Sequence, residues 1–362
     1  MTDKLEIWSD LRRYKTYSVY DKYMNVFRMR GKQHPVCFVD YSQSIPLPKR
    51  ALIYKDIKEF WELYQIPATT QTFEETIDTI AVNIINLVSN SNKKLAVWFS
   101  GGTDSTTVLC AILKNSSLTF QKEKLLIRLT KDSIDEYPWF FENYINGKLE
   151  YKFSRLSDYF NDSYYNVDGV FGDTVFGEHY IPELIENKFL QESIDWLNLP
   201  VDRFADVLKH TLKDLKLTEW LYNAHCPLFK KYNAETVFDA FWLQGAAMNL
   251  NQLHWMPLTL DFGIYSVTQE QFKRTFDRHY QTRMFSHPDM FKYAFNHRKS
   301  TDSNTHRPRI SSNLYSLDFT KDKDYFDNKK KVSSQFKMYD RTSPVSSIFL
   351  DFTIDSTTIY RV

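Results

Sequence analysis

The stretch from Leu95 to Thr107 constrains the fold of this chain more than any other. The apolar run Leu95–Phe99 predicts a short strand that is buried on both faces. A turn follows at Ser100-Gly101-Gly102, and the polar residues from Asp104 onward, continued by an apolar run, predict the start of a helix. A strand, a glycine turn and a helix N-terminus together form a concavity that binds phosphate, because backbone N–H groups and the positive end of the helix dipole converge there.

The residue types in this turn suit an anion. Gly101 and Gly102 can adopt positive φ and let an anion approach the backbone without a Cβ in the way. The hydroxyl groups of Ser100, Ser105 and Thr106 are expected to add donors. We therefore predict a phosphate-binding loop whose contacts come from Ser100, Gly101, Gly102, Thr103, Asp104, Ser105 and Thr106.

These residues resemble the Ser-Gly-Gly-x-Asp-Ser pyrophosphate loop of the N-type ATP pyrophosphatases, with a complete match over Ser100–Ser105. That superfamily includes the asparagine, β-lactam, GMP and NAD synthetases and the queuosine-precursor synthases. The resemblance covers roughly residues 73–250. It implies that the chain binds ATP and that attack on the α-phosphorus releases pyrophosphate.

A second stretch, Asp168–Gly177, is similar to the Gly-Glu-Gly-Ala-Asp-Glu-Leu-Phe-Gly segment of asparagine and β-lactam synthetases. Val170 replaces the glutamate of that segment and Phe171 replaces its second glycine. The missing carboxylate belongs to the acceptor side of the reaction in the relatives, so we expect different acceptor chemistry here. The positions that match are Gly169, Asp173, Phe176 and Gly177.

The resemblance also implies roles for single residues. Asp104 and Asp173 would hold Mg²⁺ against the phosphates, which suits a hard cation that takes few protein ligands. Asp173 has a second interpretation as a helix N-cap before residues 174–184. The remaining candidates are Gly169 and Gly172 beside the nucleotide, the Leu129 backbone at the adenine, and one of the late lysines Lys299, Lys329 and Lys331 at the phosphates.

Strands and helices alternate around the loop. A capping box at Thr72–Glu75 precedes a predicted amphipathic helix over 73–89. Further strands are predicted at Leu125–Leu129, 150–155 and 167–171, with a helix over 137–146. This order predicts an α/β fold with a doubly wound, mainly parallel sheet, whose ligands lie beyond the carboxyl ends of the strands. The resemblance implies the adenine nucleotide alpha hydrolase-like version of that fold.

Four consecutive segments are expected. A small α+β lead-in at 1–70 precedes the nucleotide-binding core at 71–190, and a helical region follows at 191–300, which the resemblance implies covers the acceptor. Within that region, residues 235–248 are apolar nearly all round and predict a buried helix. The last segment, 301–362, carries basic runs and a predicted terminal strand over 345–361.

Composition limits the environment and the partners. A formal net charge of +1 provides no general attraction to nucleic acid or to an anionic membrane. Neither a signal peptide nor a run of transmembrane length is apparent, so we expect a cytoplasmic protein without a membrane partner. The three cysteines are far apart, which favours reduced thiols and no zinc ribbon, and no structural metal is expected.

The resemblance thus implies an asparagine-synthetase-like ligase that adenylates a carboxylate or amide for attack by ammonia or an amine. Glutamine-dependent asparagine synthetases begin with a glutaminase domain whose nucleophile is the cysteine after the initiator Met, whereas residue 2 here is Thr2, so no glutaminase is expected. The nitrogen would then come from ammonia, an amine substrate or a partner. A tRNA- or nucleobase-modifying ATPase is one alternative, although the paired or clustered cysteines of such enzymes are missing. A nucleotide-binding module that has lost catalysis is the other, and Val170 and Phe171 motivate it.

Overall fold

A computed structural model supplies the coordinates of the chain. The residues that it describes are 70–154, 158–159, 161–170, 172–176, 199–212, 222, 226–227, 229–243, 278, 281–297, 307–328, 351–353 and 359–361. The predicted lead-in at 1–70 therefore lies almost wholly outside the described residues.

The elements alternate as the sequence predicts for the first half of the chain. In order they are α1 (Phe73–Ser89), β1 (Lys94–Trp98), α2 (Thr103–Asn115), α3 (Leu118–Lys124), β2 (Leu125–Leu129), α4 (Lys131–Glu136), α5 (Pro138–Phe140) with a π-helical turn (Phe141–Ile145), β3 (Tyr151–Phe153), β4 (Tyr164–Asp168) and α6 (Gly172–Val175). Later elements are a 3₁₀ turn (Val201–Arg203), α7 (Phe204–Leu212), α8 (Pro288–Asn296), α9 (Arg307–Thr320), α10 (Lys323–Asn328), β5 (Asp351–Thr353) and β6 (Ile359–Arg361).

Four strands form one sheet in the order β3-β2-β1-β4, and all neighbours are parallel. All five residues of β2 are buried, as are the last four of β1, so both faces of the central strands are covered. The coarse α/β class predicted from the sequence is thereby confirmed.

Helix α1 begins where the sequence predicts. The Thr72 hydroxyl accepts the Glu75 N–H at 3.2 Å, and the Glu75 carboxylate accepts the Thr72 N–H at 2.8 Å. The Phe73 ring of this helix packs edge-on against Tyr293 of α8 and Tyr315 of α9. These contacts join the C-terminal helices to the helix that precedes the sheet.

Strand β4 differs from its prediction. It runs over Tyr164–Asp168 rather than 167–171, because its ladder with β1 pairs Lys94 with Tyr164 and ends at Trp98 with Asp168. The chain must leave the sheet at Gly169, where a backbone of another element comes close. Val170 therefore belongs to the turn and not to the strand, and Phe171 lies outside the described residues.

The chain divides into two compact units that are each assembled from distant stretches. One comprises 64–176 and 257–345 and contains the four-stranded sheet; the other comprises 1–63, 177–256 and 346–362. The four segments predicted from the sequence are consecutive, whereas these units are not.

In the second unit, the Phe204 ring packs edge-on against Phe229 and Phe241. Residues 237–243 form a buried helix, which begins two residues later than the helix predicted over 235–248, and residues 244–248 lie outside the described residues. Strands β5 and β6 pair antiparallel with each other, where a single terminal strand was predicted.

Cys110 and Cys226 are free thiols, and Cys37 lies outside the described residues. Among the helices described, none is long and apolar enough to cross a membrane.

The capping box leads to the first prediction. We expect Thr72→Ala to lower the free energy of unfolding by about 1 kcal/mol, because it removes the side-chain acceptor at the start of α1. Thr79→Ala is the matched control, since Thr79 is exposed in the middle of the same helix and its hydroxyl donates back to the Glu75 carbonyl. That change should be neutral or stabilise by up to about 0.5 kcal/mol. Urea unfolding of both variants checks this, and equal losses would show that the box contributes nothing.

Candidate functional site

The predicted phosphate-binding loop joins β1 to α2. Gly102 occupies the N-cap position of α2 with an extended backbone, and no side chain caps this helix end within the described part of the chain. The first helical bond runs from the Thr106 N–H to the Gly102 carbonyl at 2.9 Å. Gly102, Thr103 and Asp104 are half-buried, so part of the turn that carries them is accessible to a ligand. An uncapped, accessible helix N-terminus is suited to an anion.

The hydroxyl groups of Ser100 and Ser105 form hydrogen bonds within the loop. The Ser105 hydroxyl donates to the Gly102 carbonyl at 3.0 Å and accepts the Ser100 N–H at 3.1 Å. Because that proton is committed, Ser100 must be the donor of the 2.8 Å bond between the two hydroxyls. Ser100 in turn accepts the Gly102 N–H at 3.2 Å. Both hydroxyl protons are thus used inside the loop, so these serines shape it and leave the backbone to contact a ligand.

Gly101 is required by both conformation and space. Its φ is +77°, in the left-handed region that residues with a Cβ rarely adopt. A Cβ at this position would lie 2.5 Å from the Ser133 carbonyl oxygen and 2.7 Å from the Glu136 Cβ. Helix α4, which starts directly after β2 with a capping box at Thr130 and Ser133, therefore forms one wall of the loop.

The turn after β4 forms the opposite wall. A Cβ on Gly169 would overlap with the Ser105 backbone nitrogen, and one on Gly172 would overlap with the Asp104 carboxylate. The Asp168 carboxylate holds this turn in place by accepting the Val170 N–H and the Tyr159 hydroxyl, each at 3.0 Å. Both glycines predicted at the nucleotide are therefore in direct contact with the first turn of α2.

The backbone of Asp173, the second predicted magnesium ligand, directly follows the residue that the Asp104 carboxylate contacts. Gly172, against which the Asp104 carboxylate lies, is the residue before Asp173 in α6. Since Gly172 is the first residue of that helix, Asp173 lies inside the helix and not at the N-cap of the alternative interpretation. Within the described residues no three His, Cys, Asp or Glu side chains form a metal-binding group. The Asp104 carboxylate beside the first turn of α2 could serve Mg²⁺ alone, because one or two carboxylates suffice when phosphate oxygens complete its shell.

The remaining predicted contacts are the Leu129 backbone and the late lysines. Leu129 is wholly buried at the end of β2, and its carbonyl accepts the Ser154 N–H at 3.0 Å, so only a remaining lone pair of that oxygen could serve an adenine. Lys299, Lys329 and Lys331 lie outside the described residues.

Two tyrosines at the loop were not predicted. Tyr325 of α10 donates its hydroxyl proton to the Gly101 carbonyl, and its ring lies face to face on Tyr137 with centroids 3.4 Å apart and planes 6° from parallel. Burial raises the pKa of Tyr325, and the Glu136 and Asp104 carboxylates raise it further, so the phenol stays protonated and remains a donor. No sequence motif marks these tyrosines; only the proximity of α10 to the loop reveals them.

Comparison of this chain with known protein families, with curated proteins and with solved structures finds no match. The function must therefore be inferred from the residues and geometry of the site itself.

The second prediction concerns Gly101. We expect Gly101→Ala to lower the free energy of unfolding by at least about 3 kcal/mol, because the new methyl group meets the α4 backbone and the left-handed φ becomes costly. Gly147→Ala is the control, since Gly147 also has positive φ, at +68°, but has nothing within 4 Å of the new Cβ. It should cost only about 1 kcal/mol, the conformational part alone. Urea unfolding separates the two, and equal costs would contradict the close contact.

Proposed function

We propose that the chain is an AMP-forming ligase of the asparagine-synthetase type that uses ATP and Mg²⁺ to adenylate a carboxylate or amide for attack by ammonia or an amine. The observation that carries this proposal is the loop at the uncapped N-terminus of α2, where Gly169 and Gly172 pack directly against Ser105 and Asp104 and Gly101 packs against α4. The complete Ser-Gly-Gly-x-Asp-Ser match over Ser100–Ser105 supports the pyrophosphate end of ATP as the anion that binds at this loop.

The chain's own contribution would be positioning and charge stabilisation. The backbone N–H groups of the first turn of α2 would hold the β- and γ-phosphates, which carry the negative charge that grows as pyrophosphate leaves. Asp104 and Asp173 would hold Mg²⁺, which neutralises phosphate charge when it is bound. The reaction needs no nucleophilic side chain, because the acceptor substrate supplies the attacking oxygen.

The finer fold assignment belongs to the same proposal. A central β1 followed by a glycine turn, flanked by β2 and β4, supports a doubly wound nucleotide-binding sheet of the adenine nucleotide alpha hydrolase-like type. The loop, α4 after β2, and the turn after β4 all follow the carboxyl ends of neighbouring parallel strands.

The proposal extends to a chemical class of acceptor substrate, a carboxylate or amide, and to no single compound. Val170 stands where the relatives carry a glutamate, and its N–H is held by Asp168 in the turn that contacts Ser105. An apolar side chain in place of that carboxylate supports an acceptor that differs from the acceptors of asparagine and β-lactam synthetases.

The third prediction tests the chemistry. We expect wild-type protein with ATP, Mg²⁺ and a panel of acids and amines to release AMP and pyrophosphate, and Asp104→Asn to reduce the rate about 100-fold or more. Asp318→Asn is the control, because Asp318 is exposed on α9 and pairs only locally with Lys321. Pyrophosphate release measured with a coupled assay, and AMP by chromatography, provide the readout.

The same assay separates the alternatives. ATP binding without pyrophosphate release for any acceptor would replace the ligase with the nucleotide-binding module. Release that depends on added tRNA or nucleobase would favour the modifying ATPase. Absence of ATP binding in the wild-type protein would contradict all three.

The fourth prediction distinguishes the late lysines. Lys329 directly follows Asn328, the last residue of α10, and Tyr325 of that helix contacts the loop. A helix rises about 1.5 Å per residue, so Asn328 lies only one turn beyond a residue that touches Gly101. We therefore expect Lys329→Ala to weaken ATP binding about tenfold and Lys299→Ala to leave it within about twofold. Calorimetric titration with ATP and Mg²⁺ measures both, and the reverse order would assign the phosphate contact to Lys299.

A further inference from the structure

We propose that Tyr325 is a positioning residue for the phosphate-binding loop: its hydroxyl holds the Gly101 carbonyl and so sets the backbone conformation that a pyrophosphate group needs. This inference rests on the proposed function and deepens it, because it assigns part of the phosphate site to a helix more than 200 residues after the loop.

The first step is the geometry at Gly101. A left-handed residue at the start of a turn determines the direction of the peptide that follows it. The carbonyl of Gly101 is the acceptor for Tyr325, and the next N–H, that of Gly102, is bonded to the Ser100 hydroxyl. Both sides of the Gly101–Gly102 peptide are therefore held, one of them from outside the loop.

The second step is the rigidity of the phenol. Tyr325 is only 8% exposed, and Tyr137, which is 1% exposed, covers the face of its ring. The backbone N–H of Tyr325 is bonded to the Asp322 carboxylate at 3.2 Å, which caps the start of α10. Because ring, backbone and hydroxyl all have partners, the phenol cannot move away without breaking several contacts at once.

The third step is the attachment of this segment to the loop's own helix. The Thr107 hydroxyl of α2 is bonded to the Ser316 hydroxyl of α9 at 2.6 Å and lies 3.2 Å from that of Ser312. All three groups are fully buried. Helix α9 is thus fixed along α2, and α10, which follows it, returns Tyr325 to the turn from which α2 starts.

The test compares two phenols in the full-length chain. Tyr325→Phe removes the hydroxyl and keeps the ring for the stack on Tyr137. Tyr315→Phe is the matched control, because Tyr315 is also 8% exposed and donates to a side chain outside the loop, that of Asp78. Tyr325→Phe leaves the buried Gly101 carbonyl without this donor, whereas after Tyr315→Phe the half-buried Asp78 carboxylate still accepts from Asn115 and Lys114. Tyr325→Phe should therefore lower the melting temperature at least as much as Tyr315→Phe.

Two measurements separate positioning from stability. Calorimetric titration with inorganic pyrophosphate and Mg²⁺ should show about tenfold weaker binding for Tyr325→Phe, and binding within about twofold of wild type for Tyr315→Phe. Nuclear magnetic resonance with ¹⁵N-glycine and ¹³C-carbonyl-serine isolates one signal, because Ser100-Gly101 is the only Ser-Gly pair in the sequence. That signal should shift in Tyr325→Phe and stay in place in Tyr315→Phe.

Each result has one meaning. An unmoved Gly101 signal, or unchanged pyrophosphate affinity in Tyr325→Phe beside a wild type that binds, would overturn the assignment of Tyr325 and leave the proposed function intact. Equal weakening by both variants would also overturn it, because general destabilisation would then explain the loss. Wild-type protein that binds neither pyrophosphate nor ATP would overturn the proposed function, and the assignment with it.

Discussion

The contact between two backbones at the carboxyl ends of β1 and β4 is the constraint on which the site depends. Their parallel ladder pairs Trp98 with Asp168, so both chains leave the sheet at the same level and side by side. The chain after β4 then meets the first turn of α2: a Cβ at position 169 would overlap with the α2 backbone, and one at position 172 would displace the Asp104 carboxylate. The Asp104 carboxylate is covered on one side as a consequence, because the chain that follows β4 passes directly beside it.

The two serine hydroxyls of the loop are satisfied within the loop. The hydroxyls of Ser100 and Ser105 bond to each other and to loop backbone groups, which makes the turn rigid before any ligand arrives. A rigid turn needs little reorganisation to bind, and preorganised donors are the most effective means of stabilising developing charge. The side chains of Ser100 and Ser105 therefore set the shape of the turn, and the backbone of α2 faces the space in which a phosphate would bind.

The C-terminal helices complete this arrangement from a distance. Helix α9 lies along α2 through buried hydroxyl groups, and α10 places Tyr325 on the Gly101 carbonyl. The Tyr137 ring, directly after α4, stacks on that phenol, and α4 itself packs against Gly101. A loop that is local in sequence thus depends on contacts with residues 133–137 and 312–325, and this is why the sheet-containing unit includes residues far along the chain.

The sequence by itself determined α1 with its capping box, the buried strands β1 and β2, the glycine loop and the coarse α/β class, because periodicity, caps and apolar runs are local signals. It placed β4 three residues too late, since the end of that strand is set by its register with β1 and not by its own composition. It assigned the Ser100 and Ser105 hydroxyls to a ligand, whereas their mutual bond appears only once the turn is closed. Only the tertiary structure decided the walls of the site, because Glu136, Gly172 and Tyr325 reach the loop through packing between elements that no spacing in the chain records.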